Sequence, residues 1–264
     1  MTLGFSVEDL VQAGRSGGAL RMGLTRVAEA EWLYPNADLH ARTAAFDAQP
    51  DAVIVLPEAE EAGREAAALL GVDGGLGEAA RSVWEDLCLV ERRGGAHVLT
   101  AGAVAFPTDW RLADKIGLPI TQVHAPIHGY AEQLAAGVDH FLDTLVAGPV
   151  FGRANWFVVP SDAWAYLPED DPAERFAHVD AGNAGQTLFV RCERQTLRRL
   201  PRTGAVLFTI GVAVAMDALG ADVVRRVAQG LATQGAGEQG RRAAPFYAQA
   251  LAGYAAGLDE RAAA

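Results

Sequence analysis

QTLFVRCERQTLRRLPRTGAVLFTIGVAV (Gln186–Val214) holds two strands and the turn that joins them. In QTLFVRCERQ (Gln186–Gln195), Leu188, Val190 and Cys192 alternate with Thr187, Arg191 and Glu193, the period-two pattern of a half-buried strand. After the polar LRRLPRTG comes AVLFTIGVAV (Ala205–Val214), too apolar for an exposed edge and predicted to be central. Upstream, WEDLCLVERRGGAHVLTAGAVAF (Trp84–Phe106) sets two β-prone runs around Gly94-Gly95, a favoured hairpin turn. AVIVL (Ala52–Leu56) and ANWFVV (Ala154–Val159) read as further short strands. The pattern predicts an α+β fold, with about five or six mostly antiparallel strands in one sheet and peripheral helices.

Helices are expected in the later part of Arg21–Asp47, over Glu58–Leu70, at Trp110–Ile116, and over Asp217–Ala232 and Ala243–Leu258. The strongest is Tyr130–Val146, where Leu134, Val138, Phe141, Leu142 and Leu145 recur on one helical face. Residues 1–20 are glycine-spotted and weakly patterned and are expected as a partly ordered N-terminal arm. Residues 21–264 are expected to form a single domain with C-terminal helices. A chain of 264 residues buries enough surface to fold without disulfides or a structural metal.

The formal net charge is −11, from 33 acidic and 22 basic residues, which disfavours nucleic acid as a partner. Cys88 and Cys192 are isolated and make neither a disulfide framework nor a Cys-x-x-Cys site. Without Cys-x-x-Cys-His, covalent c-type heme attachment is excluded. The start, MTLGFSVEDLVQAG, has no basic region followed by a long apolar core, and no run of eighteen apolar residues occurs. No membrane span is therefore expected, and cytoplasmic is the default location.

The chemistry concentrates in FPTDWRLADKIGLPITQVHAPIHGYAEQLAAGVDHFLDTL (Phe106–Leu145), which carries His124, His128 and His140 among the six histidines. A neutral imidazole suits a metal ligand, yet a loop histidine is more often a hydrogen-bonded core or surface residue. No His-Glu-x-x-His zinc pattern supports the first reading. His128 can be read as a second ligand, a distal donor or a solvated residue at a helix entry. RANW (Arg153–Trp156) and ERQTLRRLPRTG (Glu193–Gly204) place arginines beside apolar strands, suited to carboxylates or simply to a solvated basic turn. Lys115 is the single lysine of the chain.

WEDLCLV, AGAVAFPTDWRLADKIG, the histidine segment ending in GYAEQL, VDHFLDTL, RANW and ERQTLRRLPRTGAVLFTI follow one another in that order. Together they resemble the heme-dependent oxidative N-demethylase alpha subunits, from about Arg21 to about Ile210. The resemblance implies a PAS-like antiparallel sheet with flanking helices enclosing heme b, with iron ligated by His124. It implies an oxygen-dependent oxidase or monooxygenase that removes a methyl group from a small secondary amine as formaldehyde. Electrons would come from a separate reductase or ferredoxin, since no iron–sulfur cysteine pattern or dinucleotide fingerprint occurs here. Expected around the cofactor are Lys115, Tyr130, Arg153, Trp156 and Arg199, with His128, Glu193 and Arg194 as candidate catalytic residues; a homo-oligomer is left open. The chain departs from the family pattern at His128, where proline is usual, and at Gly211-Val212-Ala213, where an arginine-threonine-tyrosine run is usual. The second departure supports an alternative, a heme-binding sensor or subunit without turnover.

Overall fold

The computed structural model describes residues 3–14, 20–216 and 219–263, with side chains through Leu258. Its frame is one seven-stranded sheet: β1 (Thr25–Val27), β2 (Val53–Val55), β3 (Asp86–Arg93), β4 (Ala96–Ala103), β5 (Val150–Val159), β6 (Phe189–Arg199) and β7 (Val206–Ala215). The order is β1-β5-β6-β7-β3-β4-β2, and every pairing is antiparallel. Six of these strands are the predicted ones; β1, three residues long, is too short to show a period. β7 is central as expected, paired with β6 on one side and β3 on the other. Gly94 and Gly95 turn the β3–β4 hairpin with φ of 56° and 87°, values that glycine adopts without steric cost.

The helices, in chain order, are α1 (Val7–Ala13), α2 (Leu39–Asp47), α3 (Glu60–Leu69), α4 (Leu76–Arg81), α5 (Ile120–Val123), α6 (Ala136–Thr144), α7 (Pro172–Arg175), α8 (Ala184–Thr187), α9 (Ala221–Ala232), α10 (Ala236–Arg241) and α11 (Ala248–Ala263). The architecture is therefore α+β, a PAS-like open sheet flanked by helices. None of the described helices is long and apolar enough to cross a membrane.

Because neighbouring residues of a strand point to opposite faces, the sheet has two different sides. On the first lie Val190, Cys192, Arg194, Thr196 and Arg198 of β6, beside Ala154 and Trp156 of β5. The N-terminal segment covers them. Ser6 caps α1 by accepting from Asp9 N, and Leu10 and Val11 are fully buried in the core. Arg194 donates to the carbonyls of Gly4, Trp32 and Glu31, and Trp32 Nε1 donates to Thr196 Oγ1 at 3.1 Å. The stretch expected as a partly ordered arm contains a capped helix seated on the sheet; residues 15–19 lie outside the described residues.

The second side is covered by the histidine segment. Val90, Leu99 and Val206 from the strands meet Leu112, Ile120, Leu142 and Leu145 in a separate apolar cluster. The helix expected at Trp110–Ile116 is one 3-10 turn, Leu112–Asp114. It stops because the chain turns back on β4, with Gly117 N donating to Leu99 O and Leu99 N to Leu118 O. The helix expected over Tyr130–Val146 is divided into a π-helical turn, Ala131–Ala135, and α6. Such wide turns shift side chains out of α-helical register and are frequent beside functional sites.

Candidate functional site

His124 ends α5 and stands between that short helix and the turn leading to Tyr130. Its Nδ1 is 2.9 Å from the carbonyl of Ile120, one helical turn earlier. A carbonyl accepts and cannot donate, so Nδ1 carries the proton and the Nε2 lone pair is left free. The imidazole stacks on the Tyr130 ring at 4.6 Å between centroids, with the planes 8° apart. Burial lowers the His124 pKa, and the charges of Arg153 and Lys115 lower it further, against the pull of the Ile120 carbonyl. The ring is thus held neutral, oriented and in the tautomer that a metal at Nε2 requires.

Around it the sheet contributes one line of polar groups. Arg153 on β5 and Gln195 on β6 are register partners on the second face, and Arg153 Nε donates to Gln195 Oε1 at 2.7 Å. Gln195 Nε2 in turn donates to Glu193 Oε2 at 2.9 Å. Arg153 interacts electrostatically with Glu193 and Tyr130, and Arg241 of α10 with Glu193 and Asp109. Lys115 is half-buried, and its ammonium makes no hydrogen bond or ion pair among the described residues. Asp109 sits in the left-handed region, φ 58°, a conformation aspartate tolerates better than most side chains. Its backbone is pinned there, with Asp109 N donating to Tyr166 O at 2.7 Å.

Four expected site residues stand elsewhere. Arg194 points to the opposite face from Glu193, and its guanidinium is already spent on three main-chain carbonyls. Trp156 likewise points away from Arg153, into the core under α1, where it is 2 % exposed. Arg199 is six residues along β6 from Glu193, roughly 20 Å at strand rise. There it donates to the carbonyls of Leu142, Leu145 and Gly204 and so ties the end of α6 to the sheet. His128 is exposed and rests against α10, where a Cβ on Gly237 would meet its Cγ at 2.9 Å. It is a packing contact between the histidine loop and the C-terminal region.

The departure at 211–213 also changes meaning. Gly211 and Ala213 are register partners of Arg194 and Cys192 on the first face, and only Val212, opposite Glu193, belongs to the second. At Gly211 a Cβ would come 2.5 Å from the Tyr34 ring, so the space that a larger residue would need is taken by that tyrosine. A cavity of about 620 Å³ between α3 and the β3–β4 and β6–β7 turns does not reach His124. Four of its charged side chains pair with one another, Arg92 with Asp143 and Arg93 with Glu91.

A sequence profile described as haem-dependent oxidative N-demethylase, alpha subunit-like, matches residues 74–222, more than half of the chain. The chain belongs to this family. Lys115, His124, Tyr130, Arg153, Glu193 and Gln195 all fall within the matched stretch, whereas Gly237 and Arg241 lie beyond it. Membership in a family named for its haem dependence gives the free His124 Nε2 a candidate partner. Gln195 follows from the strand period set by Glu193, and the Ile120 carbonyl from the i−4 spacing to His124. Nothing in the sequence foretells Arg241, which is brought in by the packing of α10.

Proposed function

We propose that the protein binds heme b through His124 and uses oxygen to demethylate a small secondary amine, releasing formaldehyde, with electrons from a separate reductase or ferredoxin. The observation that carries the reading is the His124 side chain: Nδ1 tied to a carbonyl, ring stacked, pKa lowered by burial, Nε2 unengaged among the described residues. The surroundings fit the group. Heme brings one metal and two carboxylates, and beside His124 stand two cations, Arg153 and the unpaired Lys115.

When bound, heme supplies the iron at which oxygen is activated. The chain's own part is ligation and positioning. Ile120 fixes the imidazole tautomer, and Tyr130 fixes the plane of the ring. Arg153 and Lys115 offer positive charge to propionates. Glu193, held by Gln195 between Arg153 and Arg241, is a fixed carboxylate on the same sheet face, suited to hold an ammonium or to take its proton. His128, exposed and packed on α10, has no part in the chemistry on this reading.

The motive for a heme sensor shrinks to one position, Val212, because Gly211 and Ala213 face away from His124. The test is formaldehyde release from a secondary methylamine by the heme-loaded protein with a surrogate reductase, beside Glu193→Gln. Release by the wild type with at least tenfold loss in the variant supports the assignment; no release, or an unaffected variant, rejects it.

A further inference from the structure

Tyr130 is 4 % exposed, and its hydroxyl is buried without a hydrogen-bond partner among the described residues. A buried polar group left unsatisfied costs about 1–3 kcal/mol, and native chains rarely keep one without a use. The position of this hydroxyl narrows the use. Its ring lies face to face with His124, which puts the phenol against the imidazole. The charges of Lys115 and Arg153 both reach His124, and Arg153 also acts on Tyr130. Tyr130 is not a surplus core aromatic: Phe would fill the same volume and bury no polar atom.

We propose that the Tyr130 hydroxyl donates a hydrogen bond to a carboxylate of the molecule that fills the site, with Lys115 and Arg153 supplying the matching positive charge. A carboxylate is the acceptor that this combination of one neutral donor and two cations selects. A phenol hydroxyl is an ordinary hydrogen-bond donor, and a carboxylate is acceptor-only when ionised. The inference rests on the reading of His124 as the heme ligand. It extends that reading with a donor whose role can also be read on heme-free protein. The carboxylate can belong to heme itself, as a propionate, or to the substrate.

The experiment compares Tyr130→Phe with wild type and His124→Ala. Urea denaturation of the heme-free chains reads the first consequence: Tyr130→Phe raises the midpoint, because the orphaned hydroxyl is gone. Titrations with heme and with heme dimethyl ester read the second. If the acceptor is a propionate, Tyr130→Phe weakens heme binding about tenfold and leaves ester binding at the wild-type level. If it is the substrate's, heme binds both chains equally. The heme-loaded Tyr130→Phe protein then loses about tenfold in affinity for N-methylglycine but not for dimethylamine. A lowered midpoint, or affinities unchanged for heme, ester and N-methylglycine alike, overturns the proposal. His124→Ala separates the two levels: heme retained in that variant defeats the ligand reading, while heme lost there with Tyr130→Phe unaltered defeats the hydroxyl alone.

Discussion

Glu193 and Arg194 are neighbours in sequence and opposites in space. One joins the line of polar groups below His124; the other anchors the N-terminal segment on the far side of the sheet. The same alternation separates Arg153 from Trp156. Both separations were legible, since a strand cannot present adjacent residues to one face. What the sequence could not show is which face the histidine segment would cover. A second buried acid is a residue-scale test of the far side. Glu85 is 1 % exposed, accepts from Tyr34 N at 2.8 Å through Oε1, and leaves Oε2 unpartnered. Burial, the dominant cause, pushes its pKa up to about 7 from an unfolded value of 4.5. The folded chain therefore holds a proton that the unfolded chain releases. Stability is full below the unfolded value and falls as pH rises through about 7, by about 3 kcal/mol in all. Glu85→Gln removes that contribution to the slope. Urea midpoints that decline more steeply between pH 5 and pH 8 in wild type than in the variant bear this out; parallel slopes refute it.

At the scale of elements, the strands were readable and the connecting segment was not. Alternation in β6 and the Gly-Gly turn of the β3–β4 hairpin are local signals. The 3-10 turn at Leu112–Asp114 and the π-turn at Ala131–Ala135 answer to tertiary contacts: the pairing of Gly117–Pro119 with β4, and the stacking of Tyr130 under His124. Arg199, read as a propionate partner, donates to the Leu142 and Leu145 carbonyls at the end of α6. Arg199→Ala is expected to cost about 1–3 kcal/mol in chemical denaturation while leaving heme affinity unchanged; the opposite pair of results would return it to the cofactor. The contact of His128 with Gly237 gives a further prediction. Gly237→Ala is expected to destabilise by about 1–3 kcal/mol through overpacking. In a His128→Ala background the same change becomes neutral or stabilising by up to about 1 kcal/mol, since alanine is the better helix former. A double-mutant cycle without coupling would mean that the two residues do not touch in solution.

Over the whole molecule, one sheet separates two tasks. Its first face is a structural core in which the N-terminal segment, α3, α4, α9 and α11 bury most of the apolar side chains, with Arg194 and Arg198 clamping the strand that carries them. Its second face holds the smaller cluster and the polar line below His124, roofed by the histidine segment and bordered by α10. Family membership was legible because its motifs, from FPTDWRLADKIG to ERQTLRRLPRTG, lie in the sheet and its roof. The C-terminal border lies outside those motifs, and only folding brings it to the site. The central claim is the bond between His124 Nε2 and iron. Its most direct measurement is the absorption spectrum of heme-reconstituted wild type beside His124→Ala and His128→Ala. The account predicts a Soret band of a histidine-ligated heme in wild type and in His128→Ala, and its loss in His124→Ala. A band unchanged in His124→Ala, or one lost in His128→Ala instead, would contradict it.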